Sequence, residues 1–169
     1  MSQQSASLNQ NNDLSPMSIP LDIFFLVDRS NSMQTMGDKV TKSFNKFIHE
    51  QKEVQAKTNR KVTLTTLTFD DRINIVHDRC DIKDITSCTA DTFQPRGMTA
   101  LFDAVLTGLE MIDVNHKTMK TQILFVILTD GEENASTKMT SIHEFNKLIQ
   151  SKRKQGFEFV FLGANQDAI

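Results

Sequence analysis

Apolar runs alternate along this chain with segments in which apolar positions recur at helical spacing. The runs at 21–28, 122–128 and 157–162 are almost unbroken and predict strands that are buried on both faces. A further segment, 62–69, is dense in β-branched residues and predicts another strand. Strands of this kind are typical of the interior of a sheet that is covered by helices on both sides.

Three helices are predicted between and after these strands. The first has its apolar residues at Met36, Val40, Phe44, Phe47 and Ile48. It fades by about Lys52, and the charged segment 53–61 is predicted to be a loop. The second has its apolar residues at Leu101, Val105, Leu109 and Ile112. The third begins at the capping box Ser141–Glu144, and Gly156 is expected to end it.

Residues 72–77 predict a strand that follows 62–69 after only the short polar turn Asp70-Asp71. Such a short connection cannot make a parallel crossover, so the two strands must form an antiparallel hairpin. The second strand carries arginine, asparagine and histidine, which indicates an edge position. Residues 78–95 lack periodicity and are predicted to be a long connection. The order of elements predicts an α/β fold with a doubly wound, mostly parallel central sheet and one antiparallel edge strand.

Size and charge narrow the possible functions. The chain has 169 residues, which suits one domain with a substantial core. Residues 1–18 are polar and are predicted to form an N-terminal tail, with the domain at 19–169. The 19 basic and 21 acidic side chains nearly balance, so no basic surface for nucleic acid is indicated. No apolar run approaches the roughly 20 residues that a membrane-spanning helix needs.

The cysteines and the N-terminal segment predict an intracellular setting. Cys80 and Cys88 lack the spacing and the neighbouring histidines of a zinc site, so we expect free thiols. The N-terminal segment shows no basic stretch followed by an apolar one, so no signal peptide is predicted. The expected location is therefore the cytoplasm, or a virion if the gene belongs to a phage.

Residues with oxygen-bearing side chains follow two of the predicted buried strands. Asp28, Ser30 and Ser32 come at the end of the first strand, and Asp130 follows a later one. The ends of parallel strands share one edge of a sheet, so both carboxylates can face one point, and Thr99 arrives from a third segment. Oxygen ligands suit a small hard cation. Taken alone, the first stretch is better explained as a helix start with a serine cap, but the three segments together favour a metal.

Together these residues resemble the metal-ion-dependent adhesion site of a von Willebrand factor type A (vWA) domain. The pattern is met by Asp28-Arg29-Ser30-Asn31-Ser32, by Thr99 in Gly97-Met98-Thr99-Ala100-Leu101, and by Asp130 in Leu128-Thr129-Asp130-Gly131. The glycine before the threonine is expected to allow a tight approach of the backbone. The compact form of the chain is most similar to stand-alone vWA proteins of bacteria and phages.

The resemblance implies a Rossmann-like fold and a non-enzymatic protein–protein interaction module. Ser30, Ser32 and Thr99 would ligate Mg²⁺ or Mn²⁺, and Asp28 and Asp130 would often act through water. A glutamate or aspartate of a protein partner would complete the coordination of the ion. No nucleic acid and no membrane is implied as a partner.

The resemblance also implies that the chain is short at its C-terminal end. Family members usually continue into another helix, a sixth strand and a final helix, so the chain is expected to lack the last strand and helix. The segment 157–162 would then be an edge strand with apolar residues on both faces, which invites pairing. We expect a partner chain or an assembly to cover it.

Two other functions are left open. One is a structural subunit of a larger assembly, such as a phage virion or an intracellular complex, in which the metal is incidental. The other is a Mg²⁺-dependent phosphoryl-transfer hydrolase with Asp28 as nucleophile. Against it, Ser30 stands where such enzymes have a second carboxylate, and Arg29 is expected to point away from the site. Glu132 and Glu133 are predicted to be solvated loop residues.

Overall fold

The computed structural model describes residues 19–115 and 120–163, which form a five-stranded sheet with helices on both faces. The strands are β1 Leu21–Asp28, β2 Val62–Phe69, β3 Ile73–Asp81, β4 Gln122–Thr129 and β5 Glu158–Gly163, in the order β3-β2-β1-β4-β5. The helices are α1 Lys39–Thr58, α2 Leu101–Asn115 and α3 Ile142–Lys154, with 3₁₀ turns at Asn31–Met36, Ile82–Asp84 and Ala90–Phe93. The β2–β3 pair is antiparallel and the other three pairs are parallel. The predicted mostly parallel sheet with one antiparallel edge is confirmed.

The predicted tail 1–18 lies outside the described residues, as does the segment after residue 163. Among the helices of the described part, none is both long enough and apolar enough to cross a bilayer.

Strand β1 lies at the centre of the hydrophobic core, and every one of its residues is buried. On one face Phe25 packs edge-on against Phe44 of α1, with ring centroids 5.1 Å apart. On the other face, which α2 and α3 cover, the rings of Phe24, Phe125 and Phe159 stack in a row across β1, β4 and β5 at 5.1 and 5.0 Å. This packing on both faces holds the C-terminal end of β1 in place.

Helix α1 continues to Thr58, so the prediction of a loop at 53–61 is wrong for residues 53–58. The charged side chains support the helix, because the Glu53 carboxylate lies 3.6 Å from the Lys57 ammonium at i,i+4 spacing. Asn59 ends the helix in the left-handed conformation with φ of 52°. The apolar pattern fades before the helix ends, which explains the difference.

Strand β3 runs to Asp81, beyond the predicted end at residue 77. Its pairing with β2 is irregular, and Arg79 has a left-handed φ of 48°. Such a bulge interrupts the alternation of inward and outward residues, which hid the strand from the sequence pattern. Cys80 therefore lies in a strand, while Cys88 lies in the connection that follows, and both thiols are free.

In the sheet formed by residues 19–115 and 120–163, strand β5 lies at one edge, as predicted. Val160 and Phe161 are successive residues and so point to opposite faces, with 42% and 46% of their surface exposed. The edge strand thus carries exposed apolar side chains on both faces.

A buried carboxylate after β2 connects two loops at the C-terminal edge of the sheet. Asp70 is 0% exposed, and its Oδ2 lies 2.9 Å from Nε of Arg29 and 2.8 Å from Nε of Arg96. Its backbone carbonyl accepts a hydrogen bond from the Ala100 amide at 2.8 Å. Burial raises the pKa of Asp70, but the hydrogen bonds from Arg96 and the Arg72 amide and the charge of Arg29 outweigh it and lower the pKa. The polar turn after β2 therefore holds the loop after β1 and the loop before α2 in fixed relative positions.

We expect Asp70→Asn to lower the free energy of unfolding by about 2–3 kcal/mol, because two guanidinium groups lose the charge that they share. Folding lowers the pKa of Asp70. Its stabilisation is therefore fully present above a pH of about 4, the ordinary aspartate pKa, and is lost as the pH falls through the lowered value. Urea unfolding of both proteins between pH 7 and pH 3 measures the difference and its decline.

The matched control is Asp78→Asn, because Asp78 is an exposed aspartate on the neighbouring strand β3. This variant should change stability by less than about 0.5 kcal/mol. Equal unfolding midpoints for the two variants at pH 7 would contradict the role assigned to Asp70.

Candidate metal centre

The two predicted carboxylates lie side by side at the C-terminal edge of the sheet. Asp28 is the last residue of β1, and Asp130 directly follows β4. The two strands are adjacent and parallel, with Val27 opposite Leu128. The placement expected from the sequence therefore follows from the sheet register.

A hydrogen-bonded network joins four of the five predicted residues, partly through the backbone amide of Ser30. Asp28 accepts hydrogen bonds at Oδ1 from the Ser30 amide, at 2.7 Å, and at Oδ2 from the Thr129 hydroxyl, at 2.6 Å. The hydroxyls of Ser30 and Ser32 lie 2.9 Å apart, and Ser32 donates to Asp130 Oδ1 at 2.8 Å. Asp28 and Ser30 are buried, Asp130 is half-buried and Ser32 is exposed. The row of oxygens therefore runs from the interior to the surface.

Ser30 does not act as a side-chain cap, which was the simpler explanation of this stretch. It precedes the 3₁₀ turn Asn31–Met36, yet its side chain makes no hydrogen bond to the amides of that turn. The Ser30 hydroxyl lies against Ser32 instead. Its orientation toward the other oxygens is what a ligand site requires.

Backbone hydrogen bonds hold the loop of Thr99 between the two loops that carry the carboxylates. On one side the Gly97 carbonyl accepts from the Asn31 amide at 3.1 Å. On the other side the Thr99 amide donates to the side-chain oxygen of Asn134 at 2.8 Å. The Thr99 carbonyl accepts from the amides of Asn134 and Ala135, both at 3.0 Å. Thr99, which is 3% exposed, thus reaches the same edge of the sheet through its backbone.

Gly97 makes this close approach possible, as the sequence suggested. Its φ is +68°, and a Cβ at this position would lie 2.5 Å from Oδ1 of Asp71 and 3.3 Å from Cβ of Asp70. A larger residue would combine backbone strain with steric overlap. The loop that carries Thr99 therefore depends on a glycine two residues earlier.

The electrostatics of the centre favour a cation. Burial raises the pKa of Asp28 above its ordinary value, and the neighbouring Asp130 adds to the rise, although hydrogen bonds from Thr129 and Ser30 oppose it. An ionised Asp28 is therefore costly unless a positive charge lies near it. A bound divalent ion would offset both the burial and the repulsion between the carboxylates.

The candidate donors are all oxygen atoms. Within 19–115 and 120–163, no group of three or more His, Cys, Asp or Glu side chains could hold a metal ion. A centre here would rest on hydroxyls as much as on carboxylates, which fits Mg²⁺ or Mn²⁺ and not a soft metal. The donor set fits the ions implied by the sequence.

Other residues shape the centre without having been singled out in the sequence. Thr129 and Asn134 each bond to a predicted site residue, and Thr129 could have been noticed from its place before Asp130. Glu133, predicted to be solvated, instead accepts a hydrogen bond from the Phe102 amide at 2.9 Å. No local pattern connects positions so far apart in the sequence. The neighbouring Glu132 is exposed, as predicted.

The sequence model of the von Willebrand factor type A domain matches residues 22–169. No curated protein matches the chain significantly. Similar solved structures include the vWF domain of the type V pili tip protein Mfa5 from Porphyromonas gingivalis, with 15% identity and a TM-score of 0.57 over 69% of this chain and 39% of that chain. Proximal thread matrix protein 1 from the mussel byssus has 25% identity and a TM-score of 0.56 over 87% of this chain and 36% of that chain. The ArnB paralog VWA2 from Sulfolobus acidocaldarius has 14% identity and a TM-score of 0.58 over 86% and 35%.

The chain thus spans less than two fifths of the length of each of these proteins. The expected closeness to bacterial and phage members is not shown, since a mussel protein is among the similar structures. The match to the family model covers nearly the whole chain and includes all five predicted site residues. The chain belongs to the von Willebrand factor type A domain family.

Proposed function

We propose that this domain is a non-enzymatic module that binds a protein partner through Mg²⁺ or Mn²⁺. Asp28, Ser30, Ser32, Thr99 and Asp130 would hold the ion, and a glutamate or aspartate of the partner would complete its coordination. The observation that carries the proposal is a chain of hydrogen bonds at the edge of the sheet. It joins Asp28 to the Ser30 amide, the Ser30 hydroxyl to that of Ser32, and Ser32 to Asp130.

The family and the shape of the centre support this proposal. Domains of the vWA family are generally protein-interaction modules. Ser32 and Asp130 are the members of the network that reach the surface, so a partner would approach from their side. When bound, the ion would supply an exchangeable position for a partner carboxylate, since Mg²⁺ usually retains several water ligands. Two carboxylates from this chain would leave room for a third negative group.

The geometry disfavours the hydrolase alternative. A phosphoryl-transfer enzyme needs a cationic group on the phosphate, and Arg29 is the nearest in sequence to Asp28. Nε of Arg29 instead lies 2.9 Å from the buried Asp70. Ser30, two residues after Asp28, offers no second carboxylate. We therefore assign no catalytic residue.

The structural-subunit alternative is favoured by one observation, the exposed apolar side chains of Val160 and Phe161 on the edge strand β5. A subunit of a particle or complex, cytoplasmic or virion-associated, would cover this edge with another chain. Native mass spectrometry of the purified protein tests this alternative. A monomer at all concentrations would count against self-assembly through β5.

Metal binding is the direct test of the proposal. We expect titration calorimetry to show one Mn²⁺ or Mg²⁺ site per chain, and expect Thr99→Ala and Asp130→Ala to weaken binding by at least about tenfold. Thr58→Ala and Asp78→Ala make the same changes at the end of α1 and on β3, away from the centre, and should bind as the wild type does. No uptake of either ion by the intact protein would contradict the proposal.

Partner capture tests the second half of the proposal. A partner retained on immobilised protein in Mg²⁺ should be released by EDTA, because its carboxylate would bind through the ion. Immobilised Thr99→Ala and Asp130→Ala should retain much less of it. Equal retention in Mg²⁺, in EDTA and on both variants would mean that the metal does not mediate the contact.

The raised pKa of Asp28 predicts an unusual stability effect. In EDTA at pH 7, we expect Asp28→Asn to stabilise the protein by about 1 kcal/mol, or roughly 2–4 °C, because it removes a buried charge that lacks a cation. An amide can keep the bonds to Ser30 and Thr129, since it has both an acceptor and a donor. Mg²⁺ should raise the melting temperature of the wild type and leave that of the variant unchanged. Thermal melts with and without Mg²⁺ measure both effects, and a Mg²⁺-dependent rise in the variant would contradict the role of Asp28.

A further inference from the structure

Helix α2 begins without a cap of its own. Ala100 precedes its first residue, and a methyl group cannot accept hydrogen bonds from the amides of the first turn. Two of these amides are capped from the loop after β4. The carboxylate of Glu133 accepts from the Phe102 amide at 2.9 Å, and the hydroxyl of Ser136 accepts from the Asp103 amide at 3.0 Å. A carboxylate at this end of a helix is also favoured by the helix dipole.

Glu133 shapes its own loop at the same time. Its Oε1 accepts from the amides of Ala135 and Ser136 at 2.9 and 2.7 Å, and its Oε2 accepts from the Ser136 hydroxyl at 2.7 Å. In return, the carboxylate of Asp103, at the start of α2, accepts from the Thr137 amide at 2.8 Å. The loop after β4 and helix α2 are therefore held together by two carboxylates, Glu133 from the loop and Asp103 from the helix.

Thr99 is the candidate ligand whose position depends on these hydrogen bonds between the loop and the helix. Asn134 follows Glu133 directly, and its side chain and backbone bond to the amide and the carbonyl of Thr99. Asp130 lies three residues before Glu133 on the same loop. The placement of Thr99 relative to Asp130 is therefore set by the segment that Glu133 holds.

We propose that Glu133, together with Asn134, is a positioning residue of the metal centre, one that sets the placement of Thr99 relative to Asp130 without ligating the ion. Each carboxylate oxygen of Glu133 already accepts two hydrogen bonds, so Glu133 is a poor direct ligand. The inference rests on the metal-binding function proposed above and adds residues outside the five-residue pattern of the family. It predicts that metal affinity depends on a side chain that never touches the metal.

The test compares Mn²⁺ binding by calorimetry at pH 7 in the wild type and in Glu133→Gln, Asn134→Ala and Glu132→Gln. Glu132→Gln is the matched control, because it removes the same charge from an exposed side chain that is one residue nearer to Asp130. We expect Glu133→Gln and Asn134→Ala to raise the dissociation constant about tenfold with one site per chain retained. Glu132→Gln should bind Mn²⁺ nearly as the wild type does.

Each outcome separates the two proposals. A merely structural role for Glu133 would lower the number of sites and the melting temperature while leaving the dissociation constant of the folded fraction unchanged, and would overturn the inference. Equal weakening by Glu132→Gln and Glu133→Gln would also overturn it, since loss of charge alone would then suffice. If the wild type binds Mn²⁺ and both Glu133→Gln and Asn134→Ala bind it with the same affinity, the inference is wrong, while the proposed metal-binding function remains supported. If the wild type does not bind Mn²⁺, both the inference and the proposed metal-binding function are wrong.

If Glu133→Gln fails to fold, the Mn²⁺ affinity of Asn134→Ala decides the question, because this is a neutral change on an exposed residue.

Discussion

The parallel pairing of β1 with β4 is the constraint on which the rest of this structure depends. Both strands are apolar on both faces, and Phe24 stacks on Phe125 across the pair while Phe25 packs on Phe44 from the opposite side. A slip of one residue would exchange these faces, so the core determines the register. That register brings the ends of the two strands together. The meeting of the two carboxylates is therefore a consequence of core packing.

The loops at this edge are held by charged groups that are themselves buried or bonded. Asp70 lies between Arg29 and Arg96, while Glu133 and Asp103 fasten the loop after β4 to α2. A buried carboxylate is costly unless its bonding capacity is met, and here amides, hydroxyls and guanidinium groups meet it. The same bonds remove the freedom that such loops would otherwise have. A centre built from these loops is thus largely preorganised before any ion arrives.

At the candidate metal centre, by contrast, the cost of burying a carboxylate is not fully offset by hydrogen bonds. Asp28 is buried close to a second carboxylate, and its pKa is raised despite two hydrogen bonds. Local destabilisation of this kind is typical of functional sites, where it persists because the surrounding structure enforces it. In the proposed role, the unfavourable charge becomes part of the affinity for a cation. In this domain the packed sheet supplies the stability, and the unfavourable buried charge lies at the edge of the sheet.

Local patterns in the sequence predicted most of the architecture. The strands, the hairpin and the serine cap of α3, where Ser141 accepts from the Glu144 amide at 3.3 Å, are all present. The pattern failed where it was interrupted, at the charged end of α1 and at the irregular pairing around Arg79 in β3. Both elements are stabilised by contacts that produce no periodic pattern of apolar residues in the sequence.

The sequence by itself determined the fold class, the order of the strands along the chain and the five candidate ligands, because burial imposes a period on the residues and the motif has a recognisable spacing. Only the tertiary structure decided how the loops are held. Glu133 caps an amide 31 positions away, and Arg96 lies 26 positions from its partner Asp70. A hydrogen bond between such distant residues depends on how the strands pair and the helices pack. No property of the local sequence can encode it, which is why Glu133 resembled a solvated loop residue until the fold placed it against α2.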